Sequence, residues 1–143
     1  MNILGVGLEM VDEERWSQIV QENKKKFFEK SFTLPERKYC DQKRRPEIHY
    51  RARWACKIAV LKALALLKKQ VSLQWIEVRV QPSGPPRIQL DSRILQKKDL
   101  WKIQTVQASF THSDHYAVAE AIILGKVKKN QKSNIKHQNS GRN

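Results

Sequence analysis

Glu47–Lys69, EIHYRARWACKIAVLKALALLKK, runs through the middle of the chain without a glycine or a proline. Ala52, Ala55, Ala59 and Ala63 recur at helical spacing as a small-residue stripe, and Trp54, Ile58, Leu61 and Ala65 form a second apolar stripe beside it. Two stripes predict a central helix buried on much of its circumference, with alanines allowing close approach of whatever packs there. Downstream, Ile76, Val78 and Val80 alternate with Glu77, Arg79 and Gln81, and Pro82-Ser83-Gly84-Pro85-Pro86 turns the chain into Arg87-Ile88-Gln89-Leu90. That pattern predicts a hairpin. A short amphipathic helix over 92–101 follows, then strands over 105–110 and 116–124. Upstream, Asn2–Met10 reads as a buried first strand interrupted by two glycines. Asp12, Glu13 and Glu14 open a first helix, which Trp16, Ile19, Val20 and Phe27 continue and Lys24–Lys26 close. Thr33-Leu34-Pro35-Glu36 is a capping-box signature for a second helix that stops near Arg45. The sum is an α+β domain, a mainly antiparallel sheet packed around a long central helix.

With 143 residues the chain suffices for one domain that buries its own core. Its 40% hydrophobic and 29% charged residues exclude collagenous, disulfide-framework and wholly disordered classes. Charge is the outlier: 28 Lys+Arg against 14 Asp+Glu give +14, which points to an anionic partner. After Gly125 the stretch KVKKNQKSNIKHQNSGRN holds six Lys/Arg and no acid, so residues 1–125 read as the domain and 126–143 as a basic, disordered tail. Cys40 and Cys56 form no C-x-x-C pair, which makes a reducing compartment the default. The apolar run Ile3–Val11 is broken by Gly5, Gly7 and Glu9, and the later apolar runs are too short to cross a bilayer, so a cytoplasmic location without membrane contact is expected.

Three features can carry chemistry. In Gly5-Val6-Gly7-Leu8-Glu9 a strand carries one carboxylate among apolar neighbours; by itself the pattern favours an ordinary salt bridge. The G-x-G does not extend to a dinucleotide fingerprint. Arg53, Lys57 and Lys62 place three cations on an apolar helix, able to reach phosphate oxygens or to snorkel to solvent. Ala108-Ser109-Phe110-Thr111-His112-Ser113 ends a strand in hydroxyl and imidazole groups that suit a phosphate, although a Ser/Thr/Asp turn needs no ligand. His112-x-x-His115 lacks further Cys or His at zinc spacing.

In this order, GVGLEMVDEERW, FTLPERKYC, RARWACKIAVLKAL, SGPPRIQL and ASFTHSDHYAVAEAII resemble the holo-acyl-carrier-protein synthase family, the small 4′-phosphopantetheinyl transferases, across almost all of residues 2–124. The resemblance implies the phosphopantetheinyl transferase fold. It also implies transfer of the 4′-phosphopantetheine arm of coenzyme A to a serine of an acyl carrier protein in fatty acid biosynthesis, releasing adenosine 3′,5′-bisphosphate. Phosphoryl transfer of this kind calls for cations and a divalent ion, with Mg²⁺ the natural choice. The family pattern further implies a homotrimer with sites between subunits. Position by position, it makes Glu9 the Mg²⁺-binding carboxylate and Glu9, Lys62 and His112 catalytic. Arg53 would approach the 3′-phosphate and Lys62 the pyrophosphate, with Lys57, Gly84, Pro86, Thr111, His112 and Ser113 also at the cofactor. Arg15 would meet the carrier protein, whose acidity suits this basic domain.

One departure stands out. Ile58 occupies the position of the family's second metal-binding glutamate and offers no oxygen. A non-catalytic homologue that binds carrier protein or coenzyme A is therefore the alternative reading. A nucleic-acid-binding module is disfavoured, because the four tryptophans are dispersed at core-like positions and no recognition motif accompanies the basic charge.

Overall fold

The computed structural model describes residues 1–20 and 23–129. In chain order it forms β1 (Asn2–Asp12), α1 (Glu13–Val20), α2 (Lys24–Ser31), α3 (Leu34–Asp41), α4 (Pro46–Ala63), a 3₁₀ turn (Leu73–Trp75), β2 (Ile76–Arg79), β3 (Arg87–Leu90), α5 (Ser92–Lys97), β4 (Trp101–His112) and β5 (Tyr116–Val127). Every strand pairing is antiparallel, in a three-stranded sheet β1-β5-β4 and a separate β2-β3 hairpin. The architecture is the expected α+β one.

Helix α4 lies across the larger sheet, and glycines set how close it comes. A Cβ on Gly5 would fall 1.8 Å from the Ala63 carbonyl oxygen, and one on Gly7 1.9 Å from that of Ala59. No side chain fits, so helix backbone rests on strand backbone at the two glycines of G-x-G. The neighbouring strand continues this floor of small residues: Ala117, Ala119 and Ala121 of β5 are buried, and they pair with Val11, Glu9 and Gly7 of β1. Close small-on-small contact therefore locks the register of α4 over Glu9. On its other side α4 meets an aromatic cluster in which Tyr50 stacks on Phe28 at 3.9 Å and Trp54 meets Trp16 at 6.1 Å.

Several boundaries differ from the sequence reading. The first helix is two helices, because the Asn23 side chain accepts from Lys26 N and starts α2; Lys24–Lys26 open a helix instead of closing one. The Thr33/Glu36 capping box is present, but α3 ends at Asp41. Helix α4 stops at Ala63, short of Lys69. Ala65 adopts a positive φ of 56°, Leu66 N donates to Leu61 O, and Ala65 N donates to Lys62 O. These two bonds make a Schellman stop with alanine where glycine is usual. Strand β1 is buried on one face only: Val6, Leu8 and Met10 are more than half exposed. Strand β5 runs to Val127, paired with Trp101, two residues beyond the expected domain boundary. Residues 130–143 of the tail lie outside the described residues.

Candidate active site

Glu9 sits on the buried face of β1 with 4% exposure. An isolated carboxylate there would be strongly disfavoured, and two cations resolve it. Arg15, from the first turns of α1, places Nη1 2.8 Å from Glu9 Oε1 and donates a second bond from the same nitrogen to Met10 O. Lys62, near the end of α4, brings Nζ to 3.3 Å from Glu9 Oε2 and donates to Leu8 O at 3.0 Å. Both cations are partly exposed, so each keeps a side open to an incoming anion. The salt bridge that the isolated motif suggested is thus present, and Arg15 belongs to it.

A second group assembles at the opposite edge of the sheet. A cavity of about 310 Å³ is walled by Tyr39, Phe110 and Pro86, with Arg53 and His49 from α4 and His112 from the end of β4. Gly84 and Pro85 of the hairpin turn complete one wall. Gly84 has φ +87° with open space around it, a left-handed turn position that glycine takes without strain. The Arg53 guanidinium lies 4.2 Å from the Tyr39 ring centroid and 5.7 Å from that of Phe110. Its Nη1 donates to His49 O, while its buried Nε has no partner among the described residues. Burial pushes the His49 and His112 imidazoles below their ordinary pKa, and Arg53 pushes both further. Arg51 ties down the turn after β4 by donating to Ser113 O and Asp114 O, each at 3.0 Å.

The structure thus gathers Arg53, Gly84, Pro86 and His112 in one place, and Glu9, Arg15 and Lys62 in another. Two strand spacings, roughly 10 Å, separate the edges, and Lys62 lies nine residues, roughly 14 Å, beyond Arg53 along α4. A single chain therefore holds two half-sites instead of one crevice. Thr111 and Ser113 do not line the cavity. Ser113 Oγ accepts from His115 N and Tyr116 N, so it builds the turn.

Lys57 corrects the sequence expectation of a cofactor contact. It is wholly buried, paired with Glu36, and donates to Ser31 O and Leu73 O. With its three donors so engaged it has no path to a phosphate. His49 was missed, because nothing in its own neighbourhood distinguishes it from a solvent-facing helix residue. Burial pushes both thiols, Cys40 and Cys56, up to about 12, which leaves them unreactive.

The Glu9 surroundings supply one carboxylate, held between two cations. On α4, Ile58 lies one helical turn before Lys62 and is 8% exposed. Among the described residues no three His, Cys, Asp or Glu side chains converge on a common point. Mg²⁺ takes hard oxygen ligands, and this set of one carboxylate, two cations and an aliphatic side chain does not fit a protein-held ion.

The sequence signature of the 4′-phosphopantetheinyl transferase superfamily matches residues 5–121. The holo-[acyl-carrier-protein] synthase of Syntrophus aciditrophicus is 35% identical over 85% of this chain and 95% of its own length. That of Geobacter sulfurreducens is 33% identical over 85% and 97%. Among solved structures, the Helicobacter pylori holo-[acyl-carrier-protein] synthase in complex with coenzyme A superposes with a TM-score of 0.70 at 26% identity, covering 83% of this chain and 99% of that one. Glycine-seated helix, antiparallel sheet and near-full-length similarity agree, and this chain belongs to the 4′-phosphopantetheinyl transferase superfamily, as a protein of the holo-acyl-carrier-protein synthase type.

Proposed function

We propose that the chain transfers the 4′-phosphopantetheine arm of coenzyme A to a serine hydroxyl of an acyl carrier protein, as in fatty acid biosynthesis. The observation that carries this reading is the pair of half-sites: an aromatic, cationic cavity suited to a phosphorylated nucleoside, and a buried Glu9 flanked by the partly exposed Arg15 and Lys62, suited to a pyrophosphate. The serine oxygen attacks the pantetheine-side phosphorus, the bond to the bridging oxygen breaks, and adenosine 3′,5′-bisphosphate leaves with that electron pair while the serine proton passes to solvent. Arg15 and Lys62 lower the cost of charge building on the leaving phosphate, and Glu9 keeps both aimed at it. Arg53 holds the nucleotide end, so that the reacting phosphorus is presented in one orientation.

The same geometry supports a homotrimer with sites between subunits as part of this reading. The outward face of the sheet exposes Val6, Leu8, Met10 and Tyr116, all more than half accessible. An apolar face of that kind suits a second copy of the chain. Joining two copies through their sheets would bring the Glu9 edge of one toward the His112 edge of the next. Any Mg²⁺ would arrive on the substrate's phosphates, with Glu9 as the one carboxylate beside it. A cytoplasmic location fits, and among the described residues no helix is long and apolar enough to cross a membrane.

Ile58 favours a second reading, a homologue that binds coenzyme A or carrier protein without transfer. Intact-mass spectrometry of apo carrier protein mixed with the chain and coenzyme A, with and without Mg²⁺, separates the two. A mass gain of one phosphopantetheine on the carrier supports transfer. No gain with coenzyme A bound leaves the binding reading.

A further inference from the structure

We infer that His49, facing His112 across the Arg53 cavity, is a ligand for the phosphomonoester of the bound nucleotide and takes up a proton as that group binds. The identity of the phosphomonoester, the 3′-phosphate of coenzyme A, rests on the function proposed above. The two imidazole rings lie 5.3 Å apart at 65°, and the His49 ring lies 6.1 Å from that of Tyr39. His49 therefore stands between the aromatic wall and His112. Beside it, Arg53 is 2% exposed, and among the described residues its buried Nε finds no hydrogen-bond partner. Among the described residues, none that lines the cavity is acidic.

The charged and titratable groups facing His49 are Arg53 on its own helix, Lys43 after α3, and His112 on β4; Arg51 also acts on His112. All of them are cationic or neutral. Burial lowers both imidazoles from their ordinary pKa, and these neighbours lower them further. A phosphate dianion reverses that field, so an imidazole nitrogen takes a proton from solvent and becomes a charged donor to a phosphate oxygen. Dephospho-coenzyme A, lacking the 3′-phosphate, removes the reason for protonation.

Titration calorimetry on the full chain at pH 7.5, in buffers of differing ionisation enthalpy, reads the proton count directly. At this pH a free phosphomonoester is already mostly dianionic, so uptake reports the imidazoles. Coenzyme A should bind with uptake of about half a proton or more, and dephospho-coenzyme A with clearly less. His49→Gln should remove most of the uptake and weaken coenzyme A about tenfold while leaving dephospho-coenzyme A nearly unchanged, the effect of one lost charge-assisted hydrogen bond. His115→Gln, on an exposed residue outside the cavity, should behave as the parent. Equal uptake for both ligands, or full uptake in His49→Gln, overturns the inference. Binding with uptake but without carrier modification overturns the transfer reading and leaves this one. Transfer without uptake does the reverse, and failure of coenzyme A to bind overturns both.

Discussion

Gly7→Ala places a methyl group where there is helix backbone. The new Cβ would stand 1.9 Å from Ala59 O, 2.8 Å from Ala63 N and 2.9 Å from Ala59 C. Ordinary contact begins near 3.4 Å, so α4 must retreat locally by about 1.5 Å, and no rotamer change relieves a clash between main chains. The φ of Gly7 is not positive, so alanine adds no backbone penalty of its own. The whole cost is overpacking, at the upper end of its usual range, about 3 kcal/mol. For a domain of this size that corresponds to a fall in Tm of roughly 10 °C. The retreat also draws Lys62 away from Glu9. Thermal and urea unfolding of the parent and variant give the number, with Gly84→Ala as the comparison. Gly84 has open space around it, so alanine there meets only the left-handed strain of about 1–2 kcal/mol. A Gly7→Ala loss below about 1 kcal/mol, or one no larger than that of Gly84→Ala, would refute the idea that direct backbone contact seats the helix.

Ile58→Glu restores an oxygen donor one turn from Lys62. Carrier modification should rise at least about tenfold and become more steeply Mg²⁺-dependent, and an unchanged rate at every Mg²⁺ concentration would show that this position does not limit transfer. Lys57→Met leaves Glu36 buried without its cation and should lower stability by about 3–5 kcal/mol in urea titration; a loss under about 1 kcal/mol would contradict the buried pair. Ala65→Gly relieves a left-handed alanine but frees the unfolded chain, for a net gain of about 0.5 kcal/mol, and a destabilised variant would mean that the Schellman geometry is absent. The histidine shifts give a pH signature. His49 and His112 titrate lower in the folded chain than in the unfolded one, so unfolded molecules bind protons first as pH drops below 6.5. Stability present above pH 6.5 is lost on acidification toward the lowered values and then levels off from this source. The His49→Gln/His112→Gln variant should show a shallower decline between pH 7.5 and 5.5, and an identical slope would rule the pair out as its cause.

Periodicity and caps made most of the architecture legible. The alanine stripe, the Ile76/Val78 alternation and the Thr33/Glu36 box each express a local rule that the tertiary structure also obeys. What escaped were places where tertiary contacts override local preference. Ala65 is a strong helix former held in a helix stop by Leu66 N→Leu61 O, and Lys24–Lys26 read as a helix end until Asn23 caps a new start. At the site, linear spacing could not show that Glu9 and His112 lie on opposite edge strands. Nor could it show that one cation among three, Lys57, faces the interior. His49 gains its interest only from Tyr39 and His112, residues distant in sequence that the fold brings beside it.

The buried Glu36 carboxylate joins two distant stretches to its own helix cap: it accepts from Thr33 N at 2.9 Å, from Val78 N at 2.8 Å, and pairs with Lys57. Those bonds anchor the foot of the proline-rich turn to the middle of the long helix. Breathing motions that swing the hairpin outward must first rupture this knot, so exchange of the Val78 amide with heavy water should track global unfolding, not a looser local opening. The wall contributed by Gly84–Pro86 is consequently tied through Val78 and Glu36 to the same rod that carries Arg53.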